Sequence, residues 1–214
     1  MYVPDHFSET RLEVLHQLVR DHPFAVLVTP SSDGIDANHL PMEIDAHAGR
    51  YGTLRGHVAR TNPVWRTARG EEALAIFAGP HGYVSPGWYP SKTDGGKVVP
   101  TWNYAVVHAY GPLRVIEETA WLRAFIERLT DRHESSRAAP WHVRDAPTTF
   151  VDAMVRGIVG IEVEITRLVG KWKLSQNRSP EDQLGVIAGL NARDDAASHG
   201  LAALMDRHRS TGSS

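Results

Sequence analysis

The sequence predicts a mainly β protein with peripheral helices, an antiparallel barrel or sandwich rather than a parallel sheet with helical crossovers. Its 214 residues contain many short apolar segments of strand length, separated by turns rich in glycine, proline, serine and aspartate. This is the pattern of hairpins. Segments with a helical spacing of apolar residues are fewer. With 42% hydrophobic residues and no internal repeat, the chain can form one sizeable core.

The first half of the chain is predicted to contain an N-terminal helix and four strands. Apolar residues recur at helical spacing between Ser8 and Pro23, at Leu12, Leu15, Leu18 and Val19. Strands are predicted at residues 24–30, 35–45, 49–58 and 72–79, with a short helix over 62–69. The first two strands flank a Pro-Ser-Ser-Asp-Gly turn and are expected to form a hairpin. The segment that follows, 79–97, is rich in glycine, proline and aromatic residues and is predicted to be a long loop.

The second half begins with a long β segment over 98–117, which Gly111-Pro112 can bend. An apolar stripe predicts a helix over 118–134, and alternating apolar and polar residues predict one last strand over 157–176. Ser179 is expected to cap a further helix, with Pro180 at its first position. A final helix is predicted from Asp194, fraying into the last residues.

Composition and charge exclude several classes of function. The formal net charge of −2 and the pI near 6.6 provide no general attraction to nucleic acid, so contact with DNA requires a local patch or a partner. The absence of cysteine excludes disulfides, thiolate metal sites and a thiol nucleophile. No metal site is expected, because the histidines are scattered without carboxylates at ligand spacing. The sequence has neither a signal-peptide pattern at its start nor an apolar run of membrane-spanning length, so we expect a cytoplasmic protein with no membrane partner.

A first cationic cluster lies in the segment TLRGHVARTNP, residues 53–63. Arg55 and His57 share one face of the predicted strand, and the turn at Asn62 can bring Arg60 and Asn62 toward the same place. Arginine offers a planar set of donors that matches phosphate oxygens, and histidine and asparagine add single hydrogen bonds. The alternative is a solvated edge strand, since charged residues are mostly exposed.

A second cationic cluster lies in the segment KWKLSQNRSPED, residues 171–182. Lys171, Lys173 and Ser175 share one strand face, while Gln176 and Arg178 stand before a capped helix, where an anion is favoured. The alternative is again an exposed strand end, with Arg178 paired to a carboxylate of the helix.

An aromatic strand is the third candidate element. One face of the predicted strand carries Trp102, Tyr104, Val106, His108 and Tyr110, and the other face carries Thr101 and Asn103. Such a face can line the site of a planar ligand, although core or dimer contacts would produce the same pattern. Phosphate-loop, dinucleotide-fingerprint and nucleophile-elbow motifs are absent.

The segments HLP, GTLRGHVARTNPVW, AIFAGPHGYVSPGWYPSK, VPTWNYAVVHAYGPLRV and KWKLSQNRSPED, in this order, resemble the PaiB family of FMN-binding negative transcriptional regulators. The resemblance covers residues 1 to about 190. It implies a split β-barrel of the pyridoxamine-phosphate-oxidase type over 1–190, followed by a C-terminal helical tail over 191–214. It also implies a homodimer that binds FMN near the dimer interface and represses genes for degradative enzymes and sporulation.

The resemblance also implies which residues bind the cofactor. The flavin phosphate would be held by Arg55, His57, Arg60 and Asn62. The isoalloxazine ring would lie near Trp102, Asn103 and Tyr104. The site would be completed by Lys173, Gln176 and Arg178, from the same or the other subunit.

Three functions are consistent with these residues. The first is an FMN-binding negative transcriptional regulator, acting through DNA or through another regulator. The second is a flavin-dependent oxidoreductase with NADH, NADPH or another reductant, for which His108, Tyr83 and Tyr89 are candidate proton donors. The third is a split barrel that binds no cofactor. A visible spectrum of flavin in the purified protein separates the third from the first two.

Overall fold

The computed structural model describes residues 1–211, and they fold into a mainly antiparallel sheet with helices. The strands are β1 Ser8–Glu9, β2 Phe24–Ser31, β3 Gly34–Pro41, β4 Glu43–Asp45, β5 Thr53–Ala59, β6 Glu72–Val84, β7 Thr101–Ile116, β8 Ile158–Glu164 and β9 Arg167–Lys173. The α-helices are α1 Leu12–Asp21, α2 Val64–Thr67, α3 Thr119–Glu134, α4 Thr148–Arg156, α5 Pro180–Asn191 and α6 Ala196–Thr211. The strand order is β3-β2-β6-β7-β8-β5-β4, with β9 pairing β7 and β1.

The chain forms two compact units, to which β6 and β7 both contribute. The first unit comprises Met1–His22, Phe77–His108 and the described chain from Val169 onward. The second unit comprises Pro23–Ile76 and Ala109–Leu168. The first therefore holds α1, α5 and α6, and the second holds the β2–β3 hairpin, β5, β8 and helices α2 to α4.

Most predicted elements are confirmed, and the hairpin is the clearest case. β2 and β3 pair in antiparallel register from Phe24 opposite Pro41 to Ser31 opposite Gly34. Gly34 has a φ of 119°, a backbone conformation that side chains other than glycine rarely adopt, so the turn requires glycine at this position. The N-terminal helix is also confirmed; it begins at Leu12 with Arg11 as its N-cap, and Ser8 belongs to β1.

Three predictions are wrong in extent. The strand predicted over 35–45 is two strands, because β3 pairs with β2 whereas β4 pairs with β5. Residues 79–84 belong to β6, so the loop predicted over 79–97 begins as a strand and continues as two short 3₁₀ turns. The single last strand predicted over 157–176 is two strands, β8 and β9. The chain breaks between them because the amides of Ile165 and Thr166 donate to the carbonyls of Gly52 and Tyr110. A long alternating pattern does not reveal where such a change of partner occurs.

Sequence analysis missed α4. Its apolar residues Val151 and Val155 pack with Leu122 of α3 and with Val143 in a cluster of the second unit. Phe150 and Met154 of the same helix are more than half exposed. Together with Val151 and Val155 they recur at helical spacing, so this apolar stripe was the available signal.

The two C-terminal helices are confirmed as predicted. Ser179 accepts a hydrogen bond from the amide of Asp182 at 3.2 Å, which caps α5. α6 packs against α5 and buries Leu201, Ala202 and Met205. The last residues of the expected frayed end, 212–214, lie outside the described residues, and the domain boundary near residue 190 stays a prediction. None of the helices within residues 1–211 combines the length and the apolar character that a membrane crossing needs.

Candidate functional site

The first cationic cluster lies in the second unit, where carboxylates already neutralise Arg55. The Nε atom of Arg55 donates to Glu162 Oε1 at 2.8 Å, and Nη1 donates to Asp45 Oδ2 at 2.9 Å. His57 shares the strand face with Arg55, as predicted from the alternation of β5, and its ring meets the ring of Phe125 edge-on at 5.8 Å. Burial lowers the pKa of His57. The charge of Arg55 is therefore balanced by carboxylates, and the lowered pKa of His57 favours its neutral form.

Arg60 and Asn62 are held by the turn that follows β5. Arg60 donates to the carbonyls of Arg156 and Ile158 at 2.9 and 3.2 Å, and to the carboxylate of Glu117 at 2.9 Å. Asn62 donates to Asn38 Oδ1 at 2.7 Å and accepts from the amide of Val64 at 3.0 Å. These bonds fix the entry to α2. They join neither residue directly to Arg55 or His57.

The second cationic cluster lies in the first unit and consists of Lys171, Lys173 and Arg178. Lys171 is almost fully buried, and its Nζ atom donates to the carbonyl of Tyr2 at 3.0 Å. Lys173 donates to the hydroxyl of Thr101 and to the carbonyl of Trp102. The guanidinium of Arg178 lies 5.0 Å from the ring centre of Tyr89. All of these partners are uncharged.

Among the described residues, no carboxylate forms an ion pair with this second cluster. Within residues 1–211 none of its three members forms an ion pair, in contrast to Arg55 and Arg60. Burial, together with the nearby positive charges of Lys171 and Arg178, lowers the pKa of Lys173. Buried positive charge is costly unless an anion or a set of acceptors compensates it. The three cations therefore form a site that favours an anion.

The predicted aromatic face of β7 is present in the first unit beside these cations. Trp102 is 49% exposed, and its ring stacks on His81 with the ring centres 6.0 Å apart. Its indole N–H donates to Nδ1 of His81 at 3.3 Å. Tyr83 meets Trp102 edge-on, and the Nζ atom of Lys171 lies 5.4 Å from the ring centre of Tyr104. The arrangement presents flat rings within reach of ammonium groups.

Asn103 lies on the opposite, fully buried face of β7. Its Nδ2 atom donates to Ser175 Oγ at 2.9 Å and approaches Met205 Sδ at 3.5 Å. Its Oδ1 atom has no hydrogen-bond partner within the described chain. Ser175 has a φ of 67°, unusual for a residue other than glycine, so the turn after β9 is held in a strained conformation.

The remaining predicted residue, Gln176, is tied to α6. Its side-chain amide bonds the carbonyl of Trp172 and lies 3.1 Å from Nε2 of His208. The structure therefore brings Trp102, Asn103, Tyr104, Lys173, Gln176 and Arg178 into one compact unit, and places Arg55, His57, Arg60 and Asn62 in the other.

Sequence analysis missed His81, because the segment that carries it was predicted to be a loop. The period-two pattern of His81 and Tyr83 was the available signal.

A family model described as a putative FMN-binding domain matches residues 1–167. The chain belongs to this family. It is 31% identical over 207 residues to the protease synthase and sporulation protein PAI 2 of Bacillus subtilis, covering 96% of this chain and 97% of that protein. It is also 38% identical over 226 residues to an uncharacterised protein of Emericella nidulans, covering 89% of this chain and 90% of that protein. The resemblance to the PaiB family is thereby confirmed.

Solved structures with the same fold confirm the predicted split barrel. The FAD and heme binding protein from Mycobacterium smegmatis superimposes with a TM-score of 0.57 at 16% identity, covering 83% of this chain and 78% of that chain. A flavocytochrome from Azotobacter vinelandii does so with a TM-score of 0.56 at 12% identity, covering 86% of this chain and 78% of that chain. At such identities the likeness shows the fold alone, a mainly antiparallel split barrel with helices.

The residues of the first unit fit the cofactor of this FMN-binding family. A phosphate dianion suits three cations that lack carboxylate partners, and an isoalloxazine ring suits exposed aromatic rings. When bound, the flavin supplies hydride or single-electron transfer chemistry. The chain's own residues would bind the phosphate, orient the ring and limit its contact with water.

Proposed function

We propose that the chain is an FMN-binding, homodimeric negative regulator of transcription. The single observation that carries FMN binding is the set of three cations without carboxylate partners, Lys171, Lys173 and Arg178, beside the exposed rings of β7. In this proposal the three cations bind the flavin phosphate, and Trp102 and Tyr104 contact the isoalloxazine ring. Membership of the FMN-binding family supports the choice of ligand.

The cluster of Arg55, His57, Arg60 and Asn62 stays a second predicted position for the phosphate. Existing ion pairs argue against this position, because Glu162 and Asp45 already balance the charge of Arg55 and Glu117 balances that of Arg60. In its favour, Arg55 uses only Nε and Nη1 for these pairs, so other N–H donors of its guanidinium remain for a further acceptor. Substitution in the two clusters separates the two positions.

FMN binding is tested by the visible absorption spectrum of the purified protein. We expect a yellow protein, or an apoprotein that takes up one FMN per chain when FMN is added and excess ligand is removed. Riboflavin, which lacks the phosphate, is the matched control and should bind more weakly. A protein that retains neither flavin after gel filtration would contradict the proposal.

Alkaline pH is expected to weaken FMN binding. The pKa of Lys173 is lowered by burial and by neighbouring cations, and a bound phosphate would raise it again. Affinity is therefore greatest below the lowered pKa of the free protein and falls as pH rises through it, starting below the ordinary lysine value of about 10.4. FMN titrations across this pH range measure the fall.

Two controls distinguish the titration of Lys173 from the titration of the flavin ring. Riboflavin has the same isoalloxazine ring, so its affinity should fall less with pH than that of FMN. A Lys173→Met variant should lose the part of the fall in FMN affinity that depends on the phosphate. An equal pH dependence for FMN and riboflavin would argue against phosphate binding by Lys173.

The homodimer is supported by an apolar face of the second unit. Phe24 and Ile35 of the β2–β3 hairpin are 65% and 81% exposed. A shallow cavity of about 330 Å³ extends from this hairpin to β6 and β7 and is lined by Val28, Leu74 and Tyr110 among others. Uncovered apolar surface of this kind is typical of association sites. A second copy of the chain would cover it.

An Ile35→Lys variant is expected to shift the protein from dimer to monomer in sedimentation equilibrium, because the new charge would have to be buried in the interface. Val99→Lys is the matched control, since Val99 is an exposed apolar residue of the first unit. A dimer unaffected by Ile35→Lys would rule out this face.

The regulatory role is supported by the relationship to the sporulation protein of Bacillus subtilis. A net charge of −2 favours action through a partner protein over direct DNA binding. Fluorescence anisotropy with promoter DNA tests the point: specific binding that weakens steeply with salt would establish direct binding.

A flavin-dependent oxidoreductase is the second candidate function. The exposed rings of Trp102, His81 and Tyr83 offer a surface on which a second planar molecule can stack. Reduction of the bound flavin by NADH or NADPH, followed by turnover with an acceptor, would support this function. A flavin that stays oxidised with every reductant would exclude it.

A further inference from the structure

The side-chain amine of Lys173 has contacts that suit a neutral amine. Its Nζ atom donates to the hydroxyl of Thr101 and, at 2.7 Å, to the carbonyl of Trp102. Two acceptors match the two hydrogens of a neutral amine, whereas an ammonium group has three hydrogens to place. The neutral amine is therefore fully hydrogen-bonded in this position and keeps its lone pair for a reaction. Lys173 is only half-buried, so a small molecule can reach it.

Neighbouring cations favour the same neutral form of the amine. Burial, together with the positive charges of Lys171 and Arg178, lowers the pKa of Lys173. A lysine that is partly desolvated and lies next to other cations is one of the ways in which proteins produce a nucleophilic amine. The same neighbours that disfavour its ammonium form thus prepare Lys173 for attack on an electrophile.

The cations also indicate which electrophile suits this amine. Lys171 donates to a carbonyl and Arg178 lies against an aromatic ring, so both charges can attract a phosphate group to the side of Lys173. In an acyl phosphate the reactive carbonyl carbon is bonded directly to a phosphate oxygen. Binding the phosphate therefore brings the carbonyl carbon to the amine, and the same cations stabilise the phosphate as it leaves.

We propose that Lys173 is a site of acylation by small acyl phosphates. The lone pair of Nζ forms a bond to the carbonyl carbon, and the bond between that carbon and the phosphate oxygen breaks. Inorganic phosphate leaves with the electron pair of that bond, and one proton of the amine passes to water. No oxidant or reductant takes part. The product is an uncharged amide, so the reaction removes one of the three positive charges of the cluster.

Acylation would also regulate flavin binding, and this half of the inference rests on the proposed FMN binding. An amide at Lys173 cannot form an ion pair with the flavin phosphate. Conversely, FMN and an acyl phosphate would compete for the same cations. Bound FMN should therefore protect the amine, and an acylated amine should weaken FMN binding.

Acetyl phosphate is the probe for the acylation site, with the full chain from which any bound flavin has been removed. Mass spectrometry of peptides measures the rate of acetylation at each lysine. We expect Lys173 to react about tenfold faster than Lys97, an exposed lysine of the same unit, because only Lys173 has the activating neighbours. N-acetoxysuccinimide is the matched reagent, since it transfers the same acetyl group without a phosphate. With it the preference for Lys173 over Lys97 should be about fivefold smaller.

Arg178→Met tests the recognition of the phosphate. We expect this variant to slow the reaction of Lys173 with acetyl phosphate about fivefold more than its reaction with N-acetoxysuccinimide, because only acetyl phosphate carries a group for the guanidinium to bind. Arg193→Met is the matched control. Arg193 is exposed in the same unit and pairs with Asp195, so both rates should stay within about twofold of the wild type. Circular dichroism verifies that each variant is folded.

Two results would overturn the acylation site. The first is acetylation of Lys97 by acetyl phosphate at the same rate as Lys173. The second is an equal preference for Lys173 over Lys97 with both reagents, since the phosphate would then play no part in the reaction.

The regulatory half is tested by FMN titrations of untreated protein and of protein acetylated at Lys173. We expect acetylation to weaken FMN binding about tenfold, as for the loss of a hydrogen bond to a charged group. Saturating FMN should slow acetylation of Lys173 and not of Lys97. Unchanged FMN affinity after acetylation of Lys173 would overturn the regulatory half. Failure of the untreated protein to bind FMN would contradict the proposed function instead, while the comparison of the two reagents would still decide the acylation site.

Discussion

Lys173→Met is expected to weaken FMN binding about tenfold to a hundredfold, the range expected for losing a hydrogen bond to a charged group. The ammonium of Lys173 has only neutral partners, Thr101 and Trp102, so the phosphate would be its one counter-ion. Methionine keeps much of the apolar length of the side chain and removes the charge. Quenching of flavin fluorescence on binding measures the dissociation constant.

Two further variants make that measurement specific. Lys97→Met removes a positive charge from an exposed lysine of the same unit and should leave FMN affinity within about twofold of the wild type, as expected for a screened surface charge. Arg55→Ala tests the other cluster. Its folding has to be checked first, because Glu162 is almost fully buried and would lose its partner. A large loss of FMN affinity in folded Arg55→Ala, with none in Lys173→Met, would show that the phosphate binds at Arg55 on β5 and not at Lys173.

Gly185→Ala is expected to destabilise the protein by about 2 kcal/mol, although alanine favours helices over glycine. A Cβ atom at Gly185 would overlap the carbonyl oxygen of Trp88 and lie 2.9 Å from Cδ of Pro90. Gly189, one turn later on α5, faces the indole ring of Trp88 in the same way. The two glycines thus form a flat surface on which the segment after β6 packs.

Gly200→Ala is the matched control for this prediction. Gly200 lies inside α6, and a Cβ atom there would meet nothing within 4 Å. Without a clash, the helix propensity of alanine should stabilise the protein by about 0.5–1 kcal/mol. Urea denaturation at equilibrium measures both changes. A Gly185→Ala variant as stable as Gly200→Ala would show that the contact between α5 and Trp88 can relax at little cost.

Local features of the fold were predictable from the sequence because they depend on neighbouring residues. The β2–β3 hairpin follows from two apolar runs around a glycine turn, and the cap of α5 follows from Ser179 and Pro180. The alternation along β7 correctly separated the partly exposed face with Trp102 and Tyr104 from the buried face with Asn103. By contrast, the division between β8 and β9 depends on hydrogen bonds to distant segments, which a local pattern does not contain.

The sequence by itself determined the family, the split-barrel fold, the strand faces and the two cationic segments. Only the tertiary structure decided which cations lack a carboxylate partner and can therefore bind an anion. Arg55 is neutralised by Glu162, 107 residues further along the chain. Within the part of the chain that the structure describes, Lys171, Lys173 and Arg178 contact neutral groups and aromatic rings and form no ion pair. The physical reason is that the electrostatic state of a buried charge depends on every group packed around it, and most of those groups are distant in sequence.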